Sequence, residues 1–220
     1  MGIVAARVGA VLFDIDGTLR DTDDEVVDRA AGALRHLIGE RRAHHWARLA
    51  VMRMENPLQH LLSQADRFNL DGAVNRLAAR LGGGGRTGTR LTPGAAQAVA
   101  VIGARFPIGV VSAGPGVLVD RFLSEHDLRA AMRVVVTGQT CKRTKPHPDP
   151  VLAALATLGV DPSAGLMVGD TPVDIRAGKS AGAQTVGVLT GFGEREELER
   201  AGADLIVRTL EELAALLGDA

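Results

Sequence analysis

From Leu91 onward the chain alternates short apolar runs with longer segments of helical periodicity. The apolar runs are nearly continuous and rich in valine, which is typical of strands buried on both faces of a parallel sheet. A further run of this kind lies near the N-terminus. The pattern predicts strands at residues 8–15, 108–112, 134–137, 165–170, 185–189 and 204–207. It predicts helices near residues 93–105, 116–126, 148–158, 172–181, 194–201 and 209–217.

This alternation predicts an α/β fold, a doubly wound parallel sheet with helices on both faces. Between about residues 20 and 90 no strand is indicated, and amphipathic segments predict helices instead. We therefore expect an α/β core domain of residues 1–19 and 91–220, and an inserted all-helical cap domain of residues 20–90. The glycine run at the end of the insertion, GGGGRTGTR, lacks the lysine followed by a hydroxyl residue of a phosphate-binding loop and is expected to be a joint.

Proline-containing pairs mark three starts of helices or turns. Asp149–Pro150 and Asp161–Pro162 have the form of turn or N-terminal signals. The pair Thr92–Pro93 predicts an N-cap followed by proline at the first helical position.

Composition limits the partners and the compartment. The formal net charge of −1 gives no bulk attraction to nucleic acid or to an anionic membrane. A single cysteine, Cys141, excludes a disulfide within the chain and fits a reducing compartment. The N-terminal apolar run ends at Asp14 and predicts a first strand rather than a signal peptide. No apolar stretch reaches the roughly 18 residues of a membrane span. We expect a cytoplasmic protein, monomeric or homodimeric.

Chemically reactive side chains follow four of the predicted strands. In a doubly wound sheet, ligands bind beyond the carboxyl ends of the strands, so these side chains should converge. Any one of them alone would be ordinary in a cap, a turn or a solvated loop. The residues are Asp14 and Asp16, Ser112, Lys145, and Asp170 with Asp174.

The four acids of this set predict a metal ion. Two unit charges about 4 Å apart repel by roughly 4 kcal/mol at an effective dielectric constant near 20. One lysine cannot offset several such pairs. A hard divalent cation with oxygen ligands can, and Mg²⁺ is the usual ion where a phosphate shares the site.

The same residues carry a family resemblance. The sequence resembles the haloacid dehalogenase superfamily of phosphohydrolases, in the branch with a helical cap after the first strand. DIDGT, with Asp14, Asp16 and Thr18, matches the family pattern D-x-D-x-T. Ser112 in VVSAG, Lys145 in KPHP and the segment GDTPVDI match the other three motifs in order. The tail GFGEREELERAGADLIVRTLEEL is similar to that of phosphoglycolate phosphatase-like members.

The resemblance implies roles for the acids. Asp14 would be the nucleophile that forms an aspartyl phosphate, and Asp16 would protonate the leaving oxygen and then activate water. Mg²⁺ would be held by the carboxylates of Asp14 and Asp170 and by the main-chain carbonyl of Asp16. Asp174 would orient a water ligand of the metal from outside the ligand set.

The resemblance also implies which groups hold the phosphoryl oxygens. They are Thr18, the Ser112 hydroxyl, the Ala113 N–H and Lys145. Arg20 departs from the family pattern, which has an apolar or small residue after DGTL. We expect Arg20 to hold an anionic leaving group.

Several reactions occur in this family, and two are disfavoured by the residues present. Dehalogenases lack the second aspartate, because their leaving halide needs no proton. The presence of Asp16 therefore argues against dehalogenation. Phosphonoacetaldehyde hydrolysis uses a cap lysine, and residues 20–90 contain none. The nucleophile and metal acids argue against a binding domain without turnover. We expect hydrolysis of a small phosphorylated metabolite, with a phosphosugar mutase of the β-phosphoglucomutase kind and a pyrophosphate or nucleotide phosphohydrolase as alternatives.

Overall fold

The computed structural model describes residues 3–21 and 90–218. Its strands are β1 (Ala10–Phe13), β2 (Ile108–Val111), β3 (Met132–Val136), β4 (Gly165–Gly169), β5 (Gln184–Val188) and β6 (Leu205–Val207). Its helices are α1 (Ala95–Gly103), α2 (Gly116–Glu125), α3 (Asp149–Leu158), α4 (Pro172–Ala181), α5 (Arg195–Ala201) and α6 (Leu210–Gly218). Single 3₁₀ turns occupy Ala5–Arg7 and Pro162–Ala164. Each strand and helix predicted from Leu91 onward is confirmed to within about two residues, the usual uncertainty of such boundaries.

The six strands form one parallel sheet in the order β3-β2-β1-β4-β5-β6. This is the predicted doubly wound arrangement, because the chain crosses from one side of β1 to the other between β3 and β4. The first strand is therefore central, and Phe13 pairs with Val110 on one side and Val168 on the other. The carboxyl ends of β1, β2 and β4 consequently meet at the middle of one edge of the sheet.

Burial on both faces explains the continuous apolar runs. Every residue of β1, β2 and β4 is buried. Successive side chains of a strand point to opposite faces. Val11 and Phe13 accordingly join the hydrophobic layer that includes Ile102 of α1, whereas Leu12 joins the layer that includes Leu155 of α3. Helices therefore cover the sheet on both faces.

One helix start differs from its prediction. Helix α1 begins at Ala95, and its N-cap position is taken by Gly94 in the left-handed conformation with φ of 75°. The predicted N-cap at Thr92 is wrong, because Thr92 supplies its main-chain carbonyl to the Ala95 N–H instead. The two aspartate signals are confirmed: α3 begins at Asp149, and the side chain of Asp161 caps a 3₁₀ turn.

The predicted cap domain of residues 20–90 lies almost wholly outside the described residues. The described part belongs to one compact unit that joins the N-terminal segment to the chain from residue 89 onward. The domain boundaries at residues 19–20 and 90–91 stay predictions. No helix within residues 3–21 and 90–218 is long and apolar enough to cross a membrane.

Candidate active site

Two of the predicted site residues, Asp14 and Ser112, directly follow the last residues of β1 and β2. The N–H of Asp14 donates to the carbonyl of Val168 at 2.9 Å, and the N–H of Ser112 donates to the carbonyl of Val136 at 2.9 Å. Asp14 and Ser112 thus extend the hydrogen-bonded ladders of β1 and β2. Asp170 directly follows β4, the other neighbour of β1. The three side chains start from adjacent strands at the same edge, as the sequence predicts.

Lys145 joins two of the predicted acids. Its Nζ donates to Asp14 Oδ1 at 2.6 Å and to Asp174 Oδ1 at 2.6 Å. The side chains are only 4%, 10% and 2% exposed, respectively. Charged groups are tolerated at such depth only when they are paired and hydrogen-bonded. Lys145 lies in the loop between β3 and α3, so this contact ties that loop to the end of β1.

The second oxygen of Asp174 is fixed by the start of its own helix. Asp174 Oδ2 accepts from the Thr171 N–H at 3.1 Å and from Thr171 Oγ1 at 2.6 Å. This is a capping box at the N-terminus of α4, where the helix dipole also favours a negative charge. Asp174 is therefore placed by local structure, and it presents its remaining oxygen to Lys145.

Asp170 is fully buried between two loops. Its Oδ2 accepts from the Phe192 N–H at 2.8 Å, and its Oδ1 accepts from Thr18 Oγ1 at 3.4 Å. These contacts hold the Asp170 carboxylate from the loop after β5 and from the loop after β1. The predicted phosphate contact of Thr18 stays a prediction, since the hydroxyl of this fully buried residue has Asp170 as its partner.

The electrostatics of the buried acids show an excess of negative charge. Burial raises the pKa of Asp14 to about 7, and the charges of Asp174 and Asp16 also raise it, while the ion pair with Lys145 lowers it. Burial also raises the pKa of Asp170, with Asp174 and Asp14 adding to the effect. Burial alone would lower the pKa of Lys145, but the two adjoining carboxylates more than offset this and raise it. Lys145 therefore stays charged, but its single positive charge cannot offset three carboxylates.

The three buried carboxylates fit a divalent cation. One oxygen each of Asp14, Asp170 and Asp174 lies within 4.8 Å of the others. An all-oxygen donor set of this charge is the kind that hard cations such as Mg²⁺ prefer. Both oxygens of Asp174 accept short hydrogen bonds, at 2.6 Å from Lys145 Nζ and from Thr171 Oγ1. The contact of Thr18 with Asp170 Oδ1 is longer, at 3.4 Å, which favours Asp14 and Asp170 as the direct ligands.

On the β2 side, Ser112 opens a tight turn. The side chain is buried, and its Oγ accepts from the Gly114 N–H at 3.0 Å. The Gly114 carbonyl in turn accepts from the Gly138 N–H at 3.1 Å, which ties the turn to the loop after β3. The turn is thus rigidly placed at the site edge, and the predicted phosphate contacts of Ser112 and Ala113 stay predictions.

Asp16 lies at the rim of the site rather than among the buried acids. Its side chain is 41% exposed and is paired with Arg20, whose Nε lies 2.7 Å from Asp16 Oδ1. The structure therefore brings Arg20 next to the acid predicted to exchange protons. The predicted contact of Arg20 with a leaving group stays a prediction, as does the metal contact of the Asp16 carbonyl.

The loop after β5 also contributes to the site, although none of its residues was among the predicted site residues. Thr190 Oγ1 donates to the carbonyl of Gly17 at 2.8 Å, and the Phe192 N–H holds Asp170. A Cβ on Gly191 would run into the Asp170 carboxylate and would lie 2.6 Å from the Cα of Gly17. Two glycines in the segment TGFG, directly beyond the fifth strand, were the available signal, because glycine there indicates close approach of backbone.

Comparison with known proteins gives a consistent family match. A family model for haloacid dehalogenase-like hydrolases matches residues 11–188. The phosphoglycolate phosphatase of Escherichia coli (strain K12) is 30% identical over 96% of this chain and 93% of its own length. The pyrophosphatase PpaX of Anoxybacillus flavithermus is 28% identical over 96% of this chain and 98% of its own. The structure of a haloacid dehalogenase-like family hydrolase from Streptococcus pneumoniae, 19% identical, matches with a TM-score of 0.68 over 96% of this chain and 99% of that one.

Proposed function

The chain belongs to the haloacid dehalogenase-like hydrolases, and we propose that it is a Mg²⁺-dependent phosphatase that hydrolyses a small phosphorylated metabolite through an aspartyl phosphate on Asp14. It is an enzyme of the phosphoglycolate phosphatase type that acts on phosphoric esters. The observation that carries the proposal is the buried pairing of Lys145 with Asp14, beside Asp170, at the carboxyl edge of the sheet. In the proposed mechanism, Asp14 is the nucleophile, Lys145 the cation beside it and Asp170 a metal ligand.

In the first step, a carboxylate oxygen of Asp14 attacks phosphorus. The new Asp14–phosphorus bond forms as the bond from phosphorus to the leaving oxygen breaks. Asp16 donates a proton to that oxygen, so that an alcohol departs. The exposed position of Asp16 supports this role, because its carboxylate lies on the solvent side of the cluster, where an alcohol can leave.

In the second step, water replaces Asp14 on phosphorus. Asp16, now a carboxylate, takes a proton from the water molecule as its oxygen attacks phosphorus. The bond between phosphorus and Asp14 breaks and inorganic phosphate is released. Both residues return to their starting protonation states, and one water molecule has been consumed for each ester bond hydrolysed.

Lys145 and the metal site supply the electrostatic stabilisation. Lys145 neutralises charge on Asp14 and on the phosphoryl oxygens, and Asp174 holds its ammonium group in place. Asp14 and Asp170, with the Asp16 carbonyl, would hold Mg²⁺, whose charge makes the closeness of phosphate and carboxylates tolerable. Ser112 and the Ala113 N–H would bind the remaining phosphoryl oxygens.

Phosphoglycolate is the first substrate to test, because the relatives at 30% identity that span nearly the whole chain are phosphoglycolate phosphatases. Pyrophosphate is the second, because of the similarity to PpaX over 96% of this chain. A hexose phosphate completes the comparison, since the sequence leaves a mutase open. The ranking of the three separates the proposed reaction from its two alternatives.

The proposal is tested by measuring phosphate release from these compounds with Mg²⁺ and with EDTA, for the wild type and for Asp14→Asn. We expect release that needs both Mg²⁺ and Asp14, with phosphoglycolate the best substrate. Undiminished release by Asp14→Asn or in EDTA would contradict the mechanism. A folded wild type that isomerises the hexose phosphate faster than it hydrolyses phosphoglycolate would contradict the phosphatase assignment.

A further inference from the structure

We propose that Arg20 is a positioning residue that fixes the Asp16 carboxylate for proton exchange with the leaving oxygen and with water. The proposal rests on the proposed function, because it takes Asp16 as the acid and base of that reaction. It assigns to Arg20 a role in the chemical step. A leaving-group contact would instead place Arg20 in substrate binding.

Arg20 contacts a single oxygen of the Asp16 carboxylate through two of its nitrogens. Arg20 Nε donates to Asp16 Oδ1 at 2.7 Å, and its Nη2 lies close to the same oxygen. Two donors of the rigid guanidinium plane thus converge on Oδ1. Arg20 therefore holds Oδ1, and we assign proton exchange to Oδ2.

The guanidinium also contacts an aromatic ring. The Cζ of Arg20 lies 5.3 Å from the centroid of the Phe122 ring, within the range of a cation–π contact. Phe122 belongs to α2 and is buried in the hydrophobic layer. The arginine therefore contacts both a buried aromatic ring and Asp16, and only 24% of its side chain is exposed.

The main chain of the same turn fixes both ends of the pair. The Arg20 N–H donates to the Ile15 carbonyl at 2.8 Å, and the Gly17 N–H donates to the Arg20 carbonyl at 2.9 Å. Ile15 and Leu19, which belong to this turn, are fully buried. The turn from Ile15 to Arg20 is therefore closed by backbone hydrogen bonds and anchored in the core. The main chain of the turn therefore fixes the spacing between the backbones of Asp16 and Arg20.

A double-mutant cycle tests whether Arg20 acts through Asp16. The variants are Arg20→Gln, Asp16→Asn and the double variant, and the substrates are phosphoglycolate, glycerol phosphate and p-nitrophenyl phosphate. The value of kcat/KM reports the transfer of the phosphoryl group to Asp14. Both alkyl esters need a proton on the leaving oxygen, whereas p-nitrophenolate leaves without one.

We expect Arg20→Gln to lower kcat/KM by about 10- to 100-fold for both alkyl phosphates and by less than about 3-fold for the aryl phosphate. Adding Arg20→Gln to Asp16→Asn should cause no further loss, because the effect passes through Asp16. Arg20→Lys should recover part of the lost activity. The control is Arg121→Gln, which removes an exposed arginine paired with Glu125 at the same spacing and should leave all three substrates unaffected.

Five results would overturn the proposal. A loss confined to phosphoglycolate and expressed in KM would make Arg20 a ligand of the anionic leaving group. Additive losses in the double variant, or equal losses for all three substrates, would make its role structural. A wild type that releases no phosphate from any of the three substrates would overturn the proposed function and this inference together. An active wild type with an unaffected Arg20→Gln variant would overturn this inference alone.

Discussion

The ammonium group of Lys145 donates to Asp174 Oδ1 at 2.6 Å, while the other oxygen of the same carboxylate caps the helix that begins at Pro172. The position of the lysine is thus set by a helix start. Because helix α4 directly follows β4, the capping box aligns the cation with the end of the central strands. One carboxylate therefore serves both local structure and the electrostatics of the site.

Replacing Lys145 with methionine should affect both stability and catalysis. The change leaves Asp14 and Asp174 buried beside each other without a cation. Breaking a buried ion pair in this way costs about 3–5 kcal/mol, so the metal-free variant should unfold at lower urea concentration. Loss of the charge should also lower kcat by about 100- to 1,000-fold. Urea denaturation and phosphate release measure the two effects.

Lys179→Met is the matched control for that change. Lys179 pairs with Asp204 at 2.8 Å, but its side chain is 42% exposed. Exposed pairs contribute less than about 1 kcal/mol, so this variant should keep nearly all of its stability and its activity. Equal losses in the two variants would show that the burial of Lys145 has no special importance.

The stability of the metal-free protein should fall as pH rises through the range from about 4 to 7. Burial chiefly raises the pKa of Asp14 from 3.8 to about 7, so the folded protein keeps a proton that the unfolded chain loses in this range. Mg²⁺ binds the deprotonated carboxylates, and its stabilising effect should therefore grow with pH. Differential scanning calorimetry with Mg²⁺ or EDTA should show a larger shift of Tm at about pH 8 than at about pH 5.5.

Asp14→Asn is the control for the pH series. The variant cannot ionise at this position, so the dependence of its metal-free Tm on pH should be weaker, and Mg²⁺ should shift its Tm less. A Mg²⁺-induced shift that is equal at both pH values would contradict the placement of the metal site at Asp14 and Asp170.

Gly191→Ala should disable the site without removing any reactive group. The new methyl group would meet the Asp170 carboxylate and the backbone of Gly17, so either the loop after β5 or Asp170 must move. We expect Mg²⁺ to bind at least about 10-fold more weakly, as with other losses of support around a metal ligand. Calorimetric titration with Mg²⁺ measures this change. Gly218→Ala is the control, since its nearest neighbour would be at an ordinary 3.8 Å, and unchanged binding in Gly191→Ala would show that the loop does not shape the site.

Much of this site follows from the order of strands alone. Parallel strands bring their carboxyl ends to one edge, so Asp14, Ser112 and Asp170 could be placed there before any coordinates were known. The continuous apolar runs predict the sheet because burial on both faces removes alternation. The same reasoning fails for Thr92, since threonine before proline marks a turn as well as a helix start, and Gly94 takes the cap position.

Contacts between side chains of different loops could not be predicted from the order of the strands. The pairing of Lys145 with Asp174 depends on a capping box and on the path of a loop. The loop at Gly191 carries no charge that would mark it as part of a site. The pairing of Asp16 with Arg20 depends on the closed turn around Gly17, whose φ of 80° sets the direction of the chain. Tertiary geometry, rather than local pattern, decides each of these contacts.

The covalent intermediate on Asp14 is the central claim, and direct trapping tests it. Asp16→Asn should react with p-nitrophenyl phosphate, which needs no leaving-group proton, and should then release phosphate slowly because the base is missing. Acid quenching in the presence of Mg²⁺, followed by peptide mass spectrometry, should find one phosphoryl group on Asp14, and none there when Asp14→Asn is added. A phosphoryl group on another residue, or turnover that persists in the Asp14→Asn variant, would contradict the account.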